Sequence, residues 1–190
     1  MQKSPWHFIK AFKSVLLDAP ETNLVIIGDG DPNVSEYINK LISKLNIQNS
    51  VFLLGRRNNP YKYLKASDVL VLSSYYEGTP NVIVESIAVG TPIVSTYCTK
   101  GIIELMSKTN HSESENNIET ESGIVTPNLF KGFLNIPDSD NAILDEEIKL
   151  TEALLKVLKR NEIYRNNLEN SKIDLLNKFD LSKVSMSYLK

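Results

Sequence analysis

The stretch SSYYEGTPNVIVES, residues 73–86, places two glutamates, Glu77 and Glu85, around a Gly-Thr-Pro-Asn turn. An apolar run, VLVL at 69–72, lies just before it, and the apolar-rich segment NVIVESIAVG follows. A short apolar run that ends in turn residues and leads into a segment of helical periodicity predicts a strand, a turn and a helix. We expect Thr79 to cap that helix and Pro80 to take its first position. The two carboxylates therefore flank a helix start.

The same alternation of strands and helices extends over most of the chain. Short apolar runs are separated by segments whose apolar residues recur at helical spacing, such as NVSEYINKLISKLNI and YKYLKAS. The other apolar runs are NLVIIG, SVFLLG, DVLVLSS and TPIVST. Apolar strands that alternate with amphipathic helices indicate a parallel sheet covered on both faces. The predicted fold class is therefore α/β, a doubly wound parallel sheet of Rossmann-like type.

The start of the chain and a polar segment depart from this alternation. Ser4 and Pro5 have the positions of a helix cap and a first helical residue, whereas a doubly wound domain normally opens on a strand. We therefore expect residues 1–190 to form a single domain whose first strand is missing. The acidic segment 107–122 is predicted to be a mobile surface insertion. After it we expect GIVTP as an edge strand, a helix over DEEIKLTEALLKVLKR, and helix again to about Phe179.

Composition excludes several classes of function. The chain has 190 residues, of which 42% are hydrophobic and 23% are charged, so it can bury one sizeable core. A net charge of -2 gives no electrostatic footprint for nucleic acid or for an anionic membrane. A single cysteine, Cys98, fits a reducing compartment. The apolar runs are far shorter than the roughly 20 residues that span a bilayer. We expect no transmembrane segment and a cytoplasmic protein.

The loop GDGDP, which starts at Gly28, is a second candidate for ligand binding. Ligands of such sheets lie at the carboxyl ends of the strands, where this loop is expected. It resembles the glycine-rich dinucleotide fingerprint, but Asn33 stands where the third glycine would fall. Its Asp-Gly-Asp also imitates a signature by which nucleotide-sugar enzymes of another fold hold a divalent cation. A tight turn that needs glycine explains the same letters, and we favour that interpretation.

The helix start after Glu77 predicts a site for a ligand with both phosphates and hydroxyls. The free amides of Asn81 and Val82 and the positive end of the helix favour a phosphate group. Glu85 lies one turn along, about 6 Å from Asn81 at 1.5 Å per residue. A diphosphate repels carboxylates, so two glutamates here must accept hydrogen bonds from hydroxyls on either side. A nucleotide sugar has hydroxyls at both ends and a diphosphate between them.

The sequence resembles the C-terminal, donor-binding domain of retaining GT-B glycosyltransferases, the glycosyl transferases group 1 family. The resemblance covers about residues 2–158 and rests on four segments, together with the spacing from Glu77 to Glu85. These segments are QKSPWHFIKAF, LVIIGDGD, VFLLGRRNNPYKYLKASDVLVLSSYYEGTPNVIVESIAVGTPIVST and GIVTP. Two positions depart from the family pattern, which usually has glycine after the lysine at Lys3 and often a bulky apolar residue at Thr79.

The resemblance implies a role for each matching position. Glu77 would bind the donor sugar, Glu85 the ribose hydroxyls, and Lys3 the departing diphosphate; Glu77 and Lys3 are thus the catalytic candidates. Arg56 or Arg57 falls in the loop that recognises the base. The residues expected to bind the donor are Gly28, Arg56, Gly78, Thr79, Pro80, Asn81, Val82 and Glu85. No catalytic role is expected for His7 or His111.

The resemblance also implies the reaction and its partners. A hexosyl unit would pass from a UDP- or GDP-linked donor to an acceptor hydroxyl with retention at the anomeric carbon, in polysaccharide or glycan biosynthesis. No metal and no other cofactor are expected, since the helix end and basic residues would meet the diphosphate charge. The acceptor, a glycan or a lipid-linked glycan, would bind a missing N-terminal domain, and that domain could attach the enzyme peripherally to the inner face of the membrane. Residues 1–190 alone should bind the donor weakly and be inactive.

Three other interpretations stay open at this point. A nucleotide-sugar epimerase of the same fold would share the cleft, and a metal-dependent transferase would use the Asp-Gly-Asp of the GDGDP loop. A non-catalytic Rossmann-type module would bind a nucleotide such as NAD. Product analysis, sensitivity to chelator, and competition between UDP-sugars and NAD separate these possibilities.

Overall fold

A computed structural model describes residues 2–109, 113–137 and 142–179 of the chain. Six strands and seven helices occur over these ranges, and they alternate in chain order from α1 to β5. The strands are β1 (Leu24–Ile27), β2 (Val51–Gly55), β3 (Leu70–Leu72), β4 (Ile93–Thr96), β5 (Ile118–Thr120) and β6 (Gly123–Thr126). The helices are α1 (Pro5–Asp18), α2 (Pro32–Lys44), α3 (Tyr61–Ala66), α4 (Asn81–Val89), α5 (Ile102–Met106), α6 (Asp145–Lys159) and α7 (Asn161–Asn177). A short 3-10 turn, Gln48–Ser50, precedes β2.

The strands form two groups in which parallel pairing dominates. β1 pairs with β2, while β3, β4, β6 and β5 follow one another in a second sheet. Every pair is parallel except β5 with β6, which is antiparallel. The carboxyl ends of the parallel strands therefore face one edge, where the loops lead into helix starts.

Helices cover the sheets on both faces, as a doubly wound fold requires. α1 packs chiefly against α6 and also against α2, and α4 packs against α3 and α7. One apolar core unites α1, α2 and α6 with β1 and with residues that flank β3; its fully buried members include Trp6, Ile9 and Leu150. A second core joins α4, α5 and α7 around Ile83, Ile87 and Leu168. The α/β class and the Rossmann-like architecture predicted from the sequence are confirmed.

Most predicted elements occur where the pattern placed them, but four details differ. α4 begins at Asn81 with Pro80 at the cap position, so the expected Thr79 cap and Pro80 start are one residue early. β6 lies between β4 and β5, so the prediction of GIVTP as an edge strand is wrong. The edge is instead β5, three residues within the segment 107–122, which therefore contains a paired strand. The sheet is also divided between β1 and β3, where one continuous sheet was expected.

Some sequence predictions fall on residues outside the described ranges. His111 is among them, with residues 110 and 112 of the 107–122 segment. The predicted mobility of this segment stays a prediction. Within the described ranges, no helix is long and apolar enough to cross a membrane.

Candidate functional site

Glu77 lies in the loop that connects β3 to α4, and its carboxylate is held by three side-chain donors. The Lys3 ammonium lies 2.5 Å from Oε1 and the Ser74 hydroxyl donates to the same oxygen at 2.7 Å. The Gln2 amide donates to Oε2 at 3.0 Å. The backbone amide of Glu77 donates to the Cys98 carbonyl at 2.8 Å, which fixes the loop to the end of β4. Only 9% of the Glu77 side chain is exposed, so the carboxylate is oriented rather than mobile.

The start of α1 brings Lys3 to this loop through a strained backbone turn. Ser4 has a left-handed backbone with φ 35°, which non-glycine residues seldom adopt. Its hydroxyl donates to the Ser73 carbonyl at 2.5 Å in place of capping the helix. The Gln2 carbonyl accepts a hydrogen bond from the Tyr75 amide at 2.9 Å. The sequence predicted Ser4 as a helix cap. It gave no indication that residues 2–4 form hydrogen bonds with the segment that leads to Glu77.

The start of α4 presents backbone amides beside Glu77. Gly78 and Thr79 are exposed, Pro80 is buried, and Asn81 is exposed. The Ile83 amide donates to the Pro80 carbonyl at 2.9 Å. The amides of Asn81 and Val82 come before this bond, at the start of the helix, where backbone amides have no acceptor within the helix. The predicted placement of these amides at a helix start is thus correct although the helix begins one residue later.

Glu85 lies on α4 one turn after Asn81 and is half-buried. The Tyr61 hydroxyl, from the start of α3, donates to its Oε1 at 3.5 Å, which is a long contact. Glu85 is therefore held more loosely than Glu77. Tyr61 is exposed and was not selected from the sequence, because an isolated tyrosine at a helix start carries no recognisable signal.

The GDGDP loop has structural roles for both of its aspartates. The Asp29 carboxylate accepts a hydrogen bond from the Arg56 backbone amide at 3.0 Å, which joins the loops after β1 and β2. Asp31 caps α2 through the amide of Asn33 at 2.8 Å. Gly28 has φ 133°, a conformation that favours glycine, and the space beside it is open. The interpretation of this loop as a tight turn therefore has a structural basis.

No metal site is visible in the ranges 2–109, 113–137 and 142–179, where no group of three or more His, Cys, Asp or Glu residues could hold an ion. The expectation that the chemistry needs no metal stays a prediction. Arg56 and Arg57 are exposed at the edge where the strands end.

Asn128, after β6, is a positioning residue that sequence reasoning missed. Its amide donates to the carbonyls of Tyr75 and Tyr97, both at 2.8 Å. It thereby joins the segments that follow β3, β4 and β6. A lone asparagine after an apolar run is common in loops, so the sequence gave no reason to select it.

Cys98 lies directly below the site but is not a candidate nucleophile. The residue is 4% exposed, and burial raises the pKa of its thiol to about 11, with the charge of Glu77 adding to the shift. The thiol is therefore protonated at neutral pH and unreactive. Cys98 is thus a free, buried thiol.

Comparison with known proteins gives a family match that includes this site. The model of the family described as "Glycosyl transferases group 1" matches residues 1–121, which is more than half of the chain. The uncharacterised glycosyltransferase MJ1059 of Methanocaldococcus jannaschii is 33% identical over 188 residues, covering 96% of this chain and 45% of the relative. An N-acetylgalactosamine-N,N'-diacetylbacillosaminyl-diphospho-undecaprenol 4-alpha-N-acetylgalactosaminyltransferase of Campylobacter jejuni is 38% identical over 85 residues, covering 45% of this chain and 23% of that enzyme. The chain thus spans less than half of the length of these relatives.

Solved structures share the fold. TarM superposes with a TM-score of 0.75 and 18% identity, over 99% of this chain and 32% of TarM. Anabaena Alr3699/HepE, in complex with UDP, gives a TM-score of 0.68 and 20% identity, over all of this chain and 46% of that protein. WaaG, a glycosyltransferase involved in lipopolysaccharide biosynthesis, gives 0.66 and 21%, over 95% of this chain and 40% of WaaG. The fold is therefore that of part of a GT-B glycosyltransferase.

Proposed function

Because this chain belongs to the glycosyl transferases group 1 family, we propose that it is the donor-binding domain of an enzyme that transfers a sugar from a nucleoside diphosphate sugar to an acceptor hydroxyl. The family membership supports transferase activity. The finer features are part of the proposal: a UDP- or GDP-linked hexose as donor, retention at the anomeric carbon, and a glycan or lipid-linked glycan as acceptor. The named relatives, which include a diphospho-undecaprenol glycan transferase, support a role in polysaccharide biosynthesis.

One observation carries this proposal: the oriented carboxylate of Glu77 stands immediately before the amides at the start of α4. The three donors to Glu77 use three of its roughly four acceptor positions, and Oε2 keeps one for a sugar hydroxyl. The diphosphate would lie at the amides of Asn81 and Val82, where the helix end is positive. Glu85, one turn further, would accept the ribose hydroxyls with Tyr61 beside it.

The Lys3 ammonium would contact both the Glu77 carboxylate and the diphosphate of the nucleotide sugar. Its side chain is 65% exposed although its ammonium contacts Glu77, so it can turn toward a diphosphate without crossing packed residues. As the bond to the anomeric carbon breaks, negative charge grows on the leaving diphosphate. Lys3 and the α4 amides would stabilise that charge where a metal would otherwise act. Arg56 would contact the base, and Gly28 would let the backbone approach the ligand.

The division of the sheet supports the proposal that the domain extends beyond these residues. In the described part of the chain, β1 pairs only with β2 and β3 only with β4. In a doubly wound sheet of order 3-2-1-4-5-6, the first strand lies between these two. We therefore propose that a preceding strand joins the two sheets, and that the acceptor binds a further N-terminal domain. Val25, Phe52 and Leu53, each more than 40% exposed, supply apolar surface that additional chain would cover.

A titration of the labelled chain tests the proposed ligand. Amide NMR shifts of residues 77–79 and 81–85 should move and saturate with UDP-glucose or GDP-mannose, at millimolar concentrations because the proposed N-terminal domain is not among these residues. Glu77→Gln should weaken binding, whereas Glu152→Gln, an exposed glutamate on α6, should not. Tighter binding of NAD than of any nucleotide sugar would refute the proposal and favour a dinucleotide module.

Two further measurements separate the remaining alternatives. A nucleotide-sugar epimerase would return an altered donor in the absence of acceptor, whereas the proposed enzyme leaves the sugar configuration of unreacted donor unchanged. A metal-dependent transferase would lose donor binding in excess chelator. Asp29 and Asp31 already hold backbone amides, so we expect chelator to have no effect.

A further inference from the structure

A buried chain of hydrogen bonds connects α6 to the loop that carries Glu77. Glu147 on α6 is fully buried, and its Oε1 lies 2.6 Å from Nδ1 of His7 on α1. Nε2 of His7 lies 2.7 Å from the hydroxyl of Tyr75, which precedes Glu77 by two residues. His7 and Tyr75 are both buried. These side chains take no part in the site described above.

The proton positions in this chain of hydrogen bonds follow from the groups at its two ends, the Trp6 indole and the Glu147 carboxylate. The indole N–H of Trp6 can only donate, and it lies 3.3 Å from the Tyr75 hydroxyl. The Tyr75 oxygen therefore accepts from Trp6, and among the contacts of the described residues the acceptor for its own proton is Nε2 of His7. Nδ1 of His7 then carries a proton and donates to the Glu147 carboxylate. In this arrangement every member of the hydrogen-bond chain has a partner.

Glu147 is fixed by further donors, so the chain has a rigid end. The Lys10 ammonium and the Leu144 backbone amide each lie 2.8 Å from Oε2. Burial opposes ionisation of Glu147, yet hydrogen bonds from His7, Lys10 and Leu144 hold its pKa below the usual value. The carboxylate is therefore charged and immobile.

The other end of the chain reaches the Glu77 loop through the backbone. The Tyr75 amide donates to the Gln2 carbonyl at 2.9 Å, and the Gln2 side chain donates to both the Tyr76 carbonyl and Glu77. Tyr75 is thus linked to α1 by its side chain and to the segment before α1 by its backbone. A displacement of its ring would move the loop and one of the donors to Glu77 together.

We propose that Glu147, His7 and Tyr75 are positioning residues that fix the geometry of the Glu77 carboxylate through hydrogen bonds that run from α6 by way of α1 to the loop before α4. The inference rests on the proposed function, since it assigns them to the sugar end of the donor site. It predicts that breaking this chain of hydrogen bonds increases the mobility of residues 76–79 and not that of other segments. It also predicts that the contribution of the sugar to binding falls while the contribution of the nucleotide does not.

Hydrogen exchange tests the first expectation without any ligand. In Tyr75→Phe the ring stays and only the hydroxyl is lost, so amide exchange across residues 76–79 should become about three- to tenfold faster. Tyr164→Phe is the matched control, because Tyr164 is also buried and its hydroxyl also donates to a glutamate, Glu119, at 2.9 Å, on a different helix, α7. Equal exchange in the two variants, or faster exchange throughout the chain in Tyr75→Phe, would overturn the proposal.

Ligand binding tests the second expectation. The ratio of the Kd for UDP to the Kd for UDP-glucose measures what the sugar adds. Tyr75→Phe and Glu147→Gln should each reduce this ratio about three- to tenfold and leave the Kd for UDP unchanged. An unchanged ratio alongside normal binding would refute the positioning role. If the unaltered chain binds neither ligand, the proposed function fails, and the exchange experiment still decides whether the network controls the loop.

Discussion

Glu77 and Glu85 differ in how tightly the protein holds them, and this difference predicts different roles. Glu77 has a lysine, a serine and a glutamine as donors, while Glu85 has one long contact to Tyr61. An oriented carboxylate suits the reacting end of a ligand, where small displacements are costly. A loosely held carboxylate suits hydroxyls far from the reaction.

We expect Glu77→Gln to weaken binding of the sugar end of the ligand and Glu85→Gln to weaken binding of its ribose end. Glu77→Gln should weaken UDP-glucose about ten- to hundredfold by removing a charge-assisted hydrogen bond worth about 1.5–3 kcal/mol, and should spare UDP. Glu85→Gln should weaken both ligands alike, since both contain the ribose. NMR titration measures the four constants. Loss of UDP binding in Glu77→Gln but not in Glu85→Gln would reverse the assigned roles.

The sequence was sufficient to predict the two glutamates and the amides at the helix start, but not the residues that hold the Glu77 loop in place. Glu77 and Glu85 were found because a turn and a helix start place them within one short segment. Gln2 and Asn128 reach the loop from positions 75 and 51 residues from Glu77 in the sequence, and such contacts have no local pattern. Arg56 was selected for its side chain, whereas the contact that the structure describes is made by its backbone amide.

At the scale of elements, the close approach of β4 and β6 depends on one glycine. A Cβ on Gly123 would lie 1.8 Å from the Ile93 carbonyl oxygen, and Gly123 has φ 148°.

The α/β fold could be predicted from the alternation of apolar runs and helical segments. The order of β5 and β6 in the sheet could not be predicted, because a three-residue strand in a polar segment gives no periodic signal.

Gly123→Ala should destabilise the protein by about 3 kcal/mol or more, because the backbone of β4 would have to move. Gly101→Ala is the control, since the space beside Gly101 is open and its backbone is helical. Urea unfolding followed by circular dichroism measures both. Similar midpoints for the two variants would show that β4 and β6 are not packed as described.

The buried charge that joins α1 to α6 makes stability depend on pH. The pKa of Glu147 is lowered in the folded protein, so the folded state binds this proton less readily than the unfolded state. Its stabilising effect is complete above the ordinary carboxyl pKa of 4.5 and is lost as the pH falls through the lower folded value.

Glu147→Gln should therefore cost about 3–5 kcal/mol of unfolding free energy at pH 7, because it breaks a buried ion pair, and less as the pH falls below 4.5. Urea unfolding at several pH values measures this difference. Glu152→Gln, exposed on the same helix, should show a small cost throughout the range. A cost for Glu147→Gln that grows on acidification would contradict the assigned charge.

At the scale of the whole molecule, the divided sheet and the length of the relatives lead to the same expectation. The chain covers 45% of the Methanocaldococcus jannaschii relative, and the sheet has a break where a first strand would lie. Residues 1–190 alone should bind donor weakly and show no sugar transfer. A protein in which these residues are joined to the proposed N-terminal domain should transfer sugar, and chelator should not change its rate. Transfer by residues 1–190 at the rate of that two-domain protein would contradict the proposed roles of the two domains.

The most direct test of the account is a crystal structure of the protein with UDP-glucose. We predict that the diphosphate lies at the amides of Asn81 and Val82, with the glucose hydroxyls on Glu77 and the ribose hydroxyls on Glu85. A nucleotide sugar bound elsewhere, or carboxylates of Glu77 and Glu85 that face away from a common cleft, would contradict the central claim.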